Sequence, residues 1–173
     1  FCNVIIQCFV PGCLMDDIVI DTAGFIHWPH DRLRGCIISV LQLPEIEKHA
    51  PNNFVLLDQL DVRVKSPEPD SLDAVLRMAS TTGDLGGLSK VDLEVLALGH
   101  QMDCEIATDD HRMQNVASAN GINWMPVSGA GISKTWFWRY ICQGCKKEWS
   151  KGQGILDGGV CDVCGSDVRL LKK

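Results

Sequence analysis

The sequence predicts an α/β domain with a mainly parallel central sheet, followed by a small metal-stabilised ribbon. Short apolar runs alternate with helical patterns through the first 127 residues, which is typical of parallel strands joined by crossover helices. Two Cys-x-x-Cys pairs follow, with fifteen residues between them, and this spacing suits a tetrahedral zinc site. A chain of 173 residues, 46% of them hydrophobic, has room for one ordinary domain and such a module.

Five short apolar segments are predicted to be strands. The first, residues 17–20, reads as a fully buried strand that ends at Asp21. The fourth, residues 105–108, is followed by the pair Asp109 and Asp110. The other predicted strands are residues 36–38, 62–64 and 122–127.

The predicted helices lie between these strands. The clearest begins at Ser89, because Ser89 and Asp92 have the spacing of a capping box ahead of an apolar helical face. Gly121 is placed to end the last helix. The other helical segments are residues 41–49, 53–60, 71–79 and 111–119.

The ends of the chain are expected to differ from its body. The apolar stretch 4–14 is interrupted by polar and turn residues and lacks a basic flank, which argues against a signal peptide and a membrane span. Five further cysteines are scattered in apolar surroundings, as in a reducing compartment, so we expect a cytoplasmic protein. The expected parts are an extension of little structural importance (1–14), a domain (15–127), a linker (128–134) and the ribbon (135–173).

Charge is distributed unevenly along the chain. The formal net charge is -6, but residues 1–133 carry a balance of -10 and residues 134–173 a balance of +4. An acidic body that gathers divalent cations and a basic tail that meets phosphates would suit a nucleic-acid enzyme. An acidic cytosolic protein with a solvated tail fits the same charges.

The paired cysteines are the most specific motif. Cysteine residues at all four ligand positions would leave no open position for a substrate, so the metal should be structural and should fold a tail too short for its own core. Gly144 and Gly165 stand where the two turns need relaxed backbone. The alternative is a pair of disulfides. The four residues are Cys142, Cys145, Cys161 and Cys164.

Acidic residues mark the expected crevice of the sheet. Asp21 and Asp109 follow two predicted buried strands, and ligands of open parallel sheets bind outside such strand ends. If these strands are neighbours, the two carboxylates converge, with Asp92 leaning over them and Glu45 on the helix after the second strand. Ionised carboxylates gathered in a small space need a cation between them, and oxygen ligands suit Mg²⁺ or Mn²⁺.

Each acid also has a structural interpretation. Asp92 would complete its capping box, and Asp110 would begin the helix at His111. Taken singly, capping is the better interpretation of these two residues. Asp21 could also cap a helix, but no helix is predicted directly after it.

The same residues carry a family resemblance. The segments 19–23, 88–93 and 107–110 resemble the three signature segments of PIN-domain ribonucleases. A ribbon entered through residues 138–142, together with Thr82-Gly83-Asp84 before the second segment, narrows the resemblance to the archaeal Nob-type endonucleases. The resemblance extends over residues 16–173.

The resemblance implies a flavodoxin-like three-layer α/β/α fold and endonuclease activity that depends on Mg²⁺ or Mn²⁺. It implies cleavage of precursor small-subunit ribosomal RNA at its mature 3′ end, in association with the pre-ribosomal small subunit and assembly factors. A general or toxin-type PIN ribonuclease, or a non-catalytic assembly factor, remains an alternative. The implied acidic quartet is Asp21, Glu45, Asp92 and Asp109, with Asp110 as an accessory acid and Glu47 as the competitor of Glu45.

A hypothesis for the chemistry follows. Asp21, Asp92 and Asp109 would hold one or two Mg²⁺ or Mn²⁺ ions that activate water for in-line attack on an RNA phosphodiester. The aromatic residues that enter the ribbon could stack on bases, although packing is the better interpretation for Trp138 and Tyr140. The remaining RNA candidates are Trp136, Phe137, Arg139, Lys146, Lys147, Lys151, Arg169, Lys172 and Lys173.

Overall fold

The structure, a computed structural model, describes residues 17–150 and 158–172 and contains two sheets. The larger sheet has five parallel strands in the order β3-β2-β1-β4-β5. This arrangement confirms the predicted α/β class. The strands are β1 (Ile18–Ile20), β2 (Ile37–Ser39), β3 (Arg63–Lys65), β4 (Glu105–Ala107) and β5 (Trp124–Met125).

Seven helices connect or flank the five strands in the described part of the chain. They confirm the helical predictions at 41–49, 71–79 and 111–119 and the helix that begins at Ser89, which is capped as predicted. The helices are α1 (Thr22–His27), α2 (His30–Leu33), α3 (Leu43–His49), α4 (Pro51–Phe54), α5 (Pro69–Thr82), α6 (Lys90–Met102) and α7 (His111–Asn120). None of these helices is long and apolar enough to cross a bilayer.

Alternate residues of the central strands face opposite sides of the sheet. Val19, Ile37 and Ile106 belong to one buried cluster, which α5, α6 and α7 complete. Ile20 and Ile38 belong to a second cluster, which includes buried residues of α1, α2 and α3. Helices therefore cover both faces, and the three-layer α/β/α prediction is confirmed.

Two sequence predictions in the body need correction. The predicted helix 53–60 is mostly turns, since α4 ends at Phe54. The segment after Asp21 was given no helix, yet α1 begins at the next residue, and Asp21 caps it by accepting a hydrogen bond from the backbone N–H of Gly24 at 2.5 Å. Asp21 is the single residue between the strand and the helix, so no turn signal separates the two.

Gly24 explains how α1 can pack so closely on the sheet. A Cβ atom at this position would lie 2.8 Å from side-chain carbons of both Ile20 and Val127. The close approach of the helix to the sheet therefore requires glycine at this position. Such a requirement leaves no periodic pattern in the sequence.

The smaller sheet is antiparallel, with strands β6 (Trp138–Cys142), β7 (Glu148–Ser150) and β8 (Val168–Lys172) in the order β7-β6-β8. Its apolar cluster is small, with Trp149 and Leu170 packed against four buried residues. A core of this size needs a further constraint, as a metal site provides. The extension 1–14 lies outside the described residues, and the boundaries 15–127, 128–134 and 135–173 remain predictions.

Replacing Gly24 by alanine should destabilise the protein by about 1–3 kcal/mol, because the new methyl group must displace Ile20 or Val127 in a packed core. Thermal and urea unfolding would measure this loss. An alanine variant as stable as the parent would contradict the close contact between α1 and the sheet.

Candidate active site and metal-binding ribbon

Asp21 lies at the carboxyl edge of the larger sheet, at the end of its middle strand. Its backbone N–H donates to the carbonyl of Ala107 on β4 at 3.0 Å, so the ladder between β1 and β4 continues to the edge. The Asp21 residue is 8% exposed. Burial raises the pKa of its carboxyl group above the usual value, while a hydrogen bond from the Thr108 side chain acts in the opposite direction.

Asp109 follows β4 and lies at the same edge. Its carboxylate accepts hydrogen bonds from the backbone N–H groups of Val127, Ser128 and Gly129, at 2.8, 3.1 and 3.4 Å. The Ser128 hydroxyl donates a further bond at 2.5 Å, and this bond is the main reason that the pKa of Asp109 lies below its usual value. Asp109 thus ionises readily, but its oxygen atoms are engaged by the loop after β5.

The predicted adjacency of Asp21 and Asp109 is supported by the strand order. β1 and β4 are hydrogen-bonded neighbours, paired through Ile20 and Ala107. The charge of Asp109 also contributes to the raised pKa of Asp21. The two acids therefore interact electrostatically, as the sequence predicted for neighbouring strands.

Of the other predicted acids, two make the contacts expected of helix-capping residues, and the two glutamates have no polar partner among the described residues. Asp92 accepts a hydrogen bond from the backbone N–H of Ser89 at 2.7 Å. Asp110 accepts two from the first turn of α7, at 2.6 and 3.2 Å. Glu45 and Glu47 are both exposed on α3, without a hydrogen-bond or ion-pair partner in the described part of the chain, so neither is favoured as the fourth acid.

The carboxylates are not gathered into a closed ligand set. Among residues 17–150 and 158–172, only the four cysteines place three or more metal-binding side chains within 4.8 Å of one another. The joint coordination of one ion by Asp21, Asp92 and Asp109 therefore stays a prediction.

Gln42 supports this edge of the sheet, although the sequence reading did not single it out. Its fully buried amide donates to the carbonyl of Ile20 at 3.0 Å and accepts from the backbone N–H of Ser39 at 2.7 Å, which links the ends of β1 and β2. The Ser39 hydroxyl donates to Glu94 on α6. Ser39 and Gln42 form a capping box, so Ser and Gln at that spacing were the signal available in the sequence.

The four cysteines of the ribbon meet as predicted. The sulfur atoms of Cys142 and Cys164 are 3.3 Å apart, and those of Cys145 and Cys161 are 3.6 Å apart. Four thiolates around one zinc ion lie about 3.8 Å from each other, whereas a disulfide bond is about 2.05 Å long. All four are free thiols here, so the alternative of two disulfides is wrong and the cluster fits a zinc ribbon.

The two predicted turn glycines have different functions. Gly165 has a φ of +71°, the left-handed conformation that was expected. Gly144 does not: a Cβ there would collide with the Ser166 side chain, and Lys146 takes the left-handed position of the first turn, at φ +63°. Gly144 therefore makes room for Ser166, whose hydroxyl is the main cause that lowers the pKa of Cys164 to about 6.

The ribbon is attached to the body through a buried acid. Asp84, which is 1% exposed, accepts hydrogen bonds from the Trp138 indole at 2.9 Å and from the Asn115 amide at 2.7 Å. Asn115 also exchanges two hydrogen bonds of 2.8 Å with the backbone of Trp136. These contacts confirm packing for Trp138, and Tyr140 is likewise buried within the ribbon.

Comparison with known proteins places these features in a family. Residues 18–102 match the family model described as PIN domain of ribonuclease. Endoribonuclease Nob1 of Pyrococcus abyssi is 37% identical over 162 residues, which cover 90% of this chain and 94% of that protein. Ribonuclease VapC1 of Thermoplasma acidophilum is 36% identical, covering 87% and 76%, respectively. The 20S-pre-rRNA D-site endonuclease nob1 of Schizosaccharomyces pombe is 30% identical, covering 68% and 31%.

The three-layer fold and the matched segment define a PIN-domain ribonuclease. Within this class, the chain belongs to the Nob1 endoribonucleases. The four-cysteine cluster at the C-terminal end of the chain agrees with this membership.

Replacing Cys161 by serine should release the bound metal and unfold the ribbon, because the remaining apolar cluster is too small to fold it. Metal content and Trp149 solvent exposure would report the loss. Cys36→Ala is the matched control: Cys36 is a buried thiol in the body whose pKa is raised to about 11 by burial, so its replacement should leave the metal content unchanged. Equal metal content in both variants would contradict the site.

Replacing Asp84 by alanine should cost about 2–4 kcal/mol of the free energy of unfolding, because two buried donors lose their acceptor. The segment between body and ribbon should also become more sensitive to proteases. Asp73→Ala, which removes an exposed acid from α5, serves as the control. Identical proteolysis of the two variants would show that Asp84 does not hold the ribbon.

Proposed function

We propose that this endoribonuclease requires Mg²⁺ or Mn²⁺ and cleaves precursor small-subunit ribosomal RNA to form its mature 3′ end. The observation that carries the metal requirement is the buried carboxyl group of Asp21 next to the ionised Asp109. Burial and a neighbouring negative charge both disfavour ionisation of Asp21, and a cation would reverse both effects. The RNA substrate is supported by the similarity to the Schizosaccharomyces pombe D-site endonuclease.

The acids have distinct parts in this proposal. Asp21 and Asp109 would be the principal ligands, because they lie at the ends of neighbouring strands. Asp92 and Glu45 would assist from α6 and α3, and Asp110 would keep its position at the start of α7. A divalent cation would supply an activated water and would stabilise charge that develops on the phosphate.

The residues around Asp21 prepare it for that function. The Gly24 N–H donates a hydrogen bond to its carboxylate and so fixes the orientation of the side chain. Gln42 holds the neighbouring strand ends together from within the core. The protein thus supplies a rigid edge, on which a phosphodiester can be placed against a fixed carboxylate.

We infer that the ion in the ribbon is zinc and that it is structural. Four cysteine ligands saturate a tetrahedral site and leave no position for a substrate. The expected setting is the cytoplasm, with the pre-ribosomal small subunit and its assembly factors as partners.

A general ribonuclease is the second candidate, because the identity to Ribonuclease VapC1 of Thermoplasma acidophilum is almost as high. Incubation with a precursor that spans the mature 3′ end, and with an unrelated RNA of equal length, separates the two. Cleavage at one position of the precursor, with added Mn²⁺ only, supports the proposal. Equal cleavage of both RNAs supports the general ribonuclease, and binding without any product supports a non-catalytic assembly factor.

Replacing Asp21 by asparagine should lower metal-dependent cleavage by a factor of at least about 10²–10³, because the ligand charge is lost. The metal-free variant should be as stable as the parent, or more stable, at neutral pH. The folded pKa of Asp21 is raised, so its contribution to stability is present at low pH and is lost as the pH rises through that pKa. Asparagine has no such loss.

Cleavage rates and unfolding curves from about pH 4, near the ordinary pKa of an aspartate, up to about pH 8 would test this prediction. Asp31→Asn, which changes an exposed acid on α2, is the control and should retain activity. Full activity of the Asp21 variant would refute its function as a ligand.

A further inference from the structure

A pocket of about 430 Å³ lies where the chain passes from the body into the ribbon. Residues 131–136 and Lys172 line it. Gly131, at φ +68°, forms part of the wall, and a Cβ there would lie 2.6 Å from the ring of Trp124 on β5. The pocket therefore lies between residues 131–136, which lead from the body to the ribbon, and the last strand of the ribbon. Its volume falls within the range of about 300–1,000 Å³ that is typical of ligand sites.

Two lysines give this pocket a positive charge. Neither Lys134 nor Lys172 has an acidic partner in residues 17–150 and 158–172, whereas Lys147 is paired with Asp162 at 2.8 Å. The Lys172 ammonium group lies 3.7 Å from the centre of the Trp136 ring. Two unpaired cations in a chain of net charge -6 favour an anionic ligand at this point.

Trp136 supplies an aromatic wall and an unused donor. Its indole N–H is buried and has no acceptor within the described structure. The backbone of Trp136 is held by Asn115 through two hydrogen bonds of 2.8 Å, so this wall is fixed in advance.

We propose that the pocket binds one nucleotide of single-stranded RNA, with its phosphate between Lys134 and Lys172 and its base on the Trp136 ring. The Lys172 ammonium group would exchange its contact with the ring for one with the phosphate, and the base would take its place. This inference rests on the proposed function, since it names the segment of chain that holds the RNA substrate.

The pocket also lies close to the candidate active site along the chain. Gly129, which hydrogen-bonds to Asp109, is separated from Gly131 by one residue, and Ser128, which also does so, by two. RNA bound here would thus be held by the same loop that positions Asp109. The pocket would place the strand relative to the carboxylates.

The test measures RNA affinity as a function of salt in the full chain. Lys134→Gln and Lys172→Gln are made in the Asp21→Asn background, which prevents cleavage, and bind a labelled single-stranded RNA of about 12 nucleotides. Each variant should reduce the slope of log affinity against log salt by about 0.7, the value for one lost phosphate contact with a single strand.

Lys48→Gln is the matched control, because it makes the same change in net charge at an exposed position on α3. This helix follows β2, which β1 and β4 separate from β5 in the sheet. Its slope should equal that of the parent. Unchanged slopes for both pocket lysines, or an equal decrease for Lys48→Gln, would overturn the proposal.

Substitutions of Trp136 test the aromatic wall. Trp136→Ala should lower RNA affinity by about 5-fold or more, and Trp136→Phe should retain most of the stacking. Equal affinity of Trp136→Ala and the parent would contradict base stacking. If the alanine variant does not fold, Lys172→Gln alone decides whether a phosphate is bound, since it changes an exposed side chain.

Cleavage assays with Asp21 intact distinguish this inference from the proposed function. If the parent cleaves no RNA but the lysine variants show the reduced slope, RNA binding in the pocket is supported and the proposed reaction fails. If the parent cleaves the precursor and the slopes do not change, the reaction stands and the pocket fails.

Discussion

The parallel pairing of β1 with β4 is the interaction on which the rest of the molecule depends. It places Ile20 opposite Ala107 and continues to the Asp21 N–H, so that two acids far apart in the chain lie at one edge. Successive apolar residues of the two strands point to opposite faces of the sheet, and the helices on each face bury them. The position of the candidate active site and the stability of the body thus have a common origin.

A second constraint joins body and ribbon. The ribbon has only a small apolar cluster, and the four cysteines that meet beside it fit a metal site of the kind that stabilises such small modules. Asp84 and Asn115 then bind the backbone and indole groups that lead into its first strand. The predicted linker is therefore bridged by direct hydrogen bonds, and the pocket beside it is lined by residues 131–136 and by Lys172 of the ribbon.

The sequence predicted the strands, the cysteine cluster and the neighbouring acids because each depends on local patterns or on strand ends. It missed α1, since a single residue separates this helix from β1 and no turn signal marks the change. It misjudged Gly144 because only the folded ribbon brings Ser166 against it. The choice between Glu45 and Glu47 depends on side chains that are both exposed and make no hydrogen bond or ion pair in the described structure, so no pattern could decide it.

The loop 127–129 surrounds Asp109 with hydrogen-bond donors in the way that a cation would surround it with positive charge. Any ion that takes an oxygen atom of Asp109 must therefore compete with Ser128 and its neighbours for the same lone pairs. Thermodynamic linkage makes this competition reciprocal. A change that strengthens the hydrogen bonds from the loop to Asp109 lowers the affinity for the ion, and a bound ion weakens those hydrogen bonds. In the proposed function, an ion at Asp109 would therefore act on the segment that continues from this loop through residues 130–137 into the ribbon.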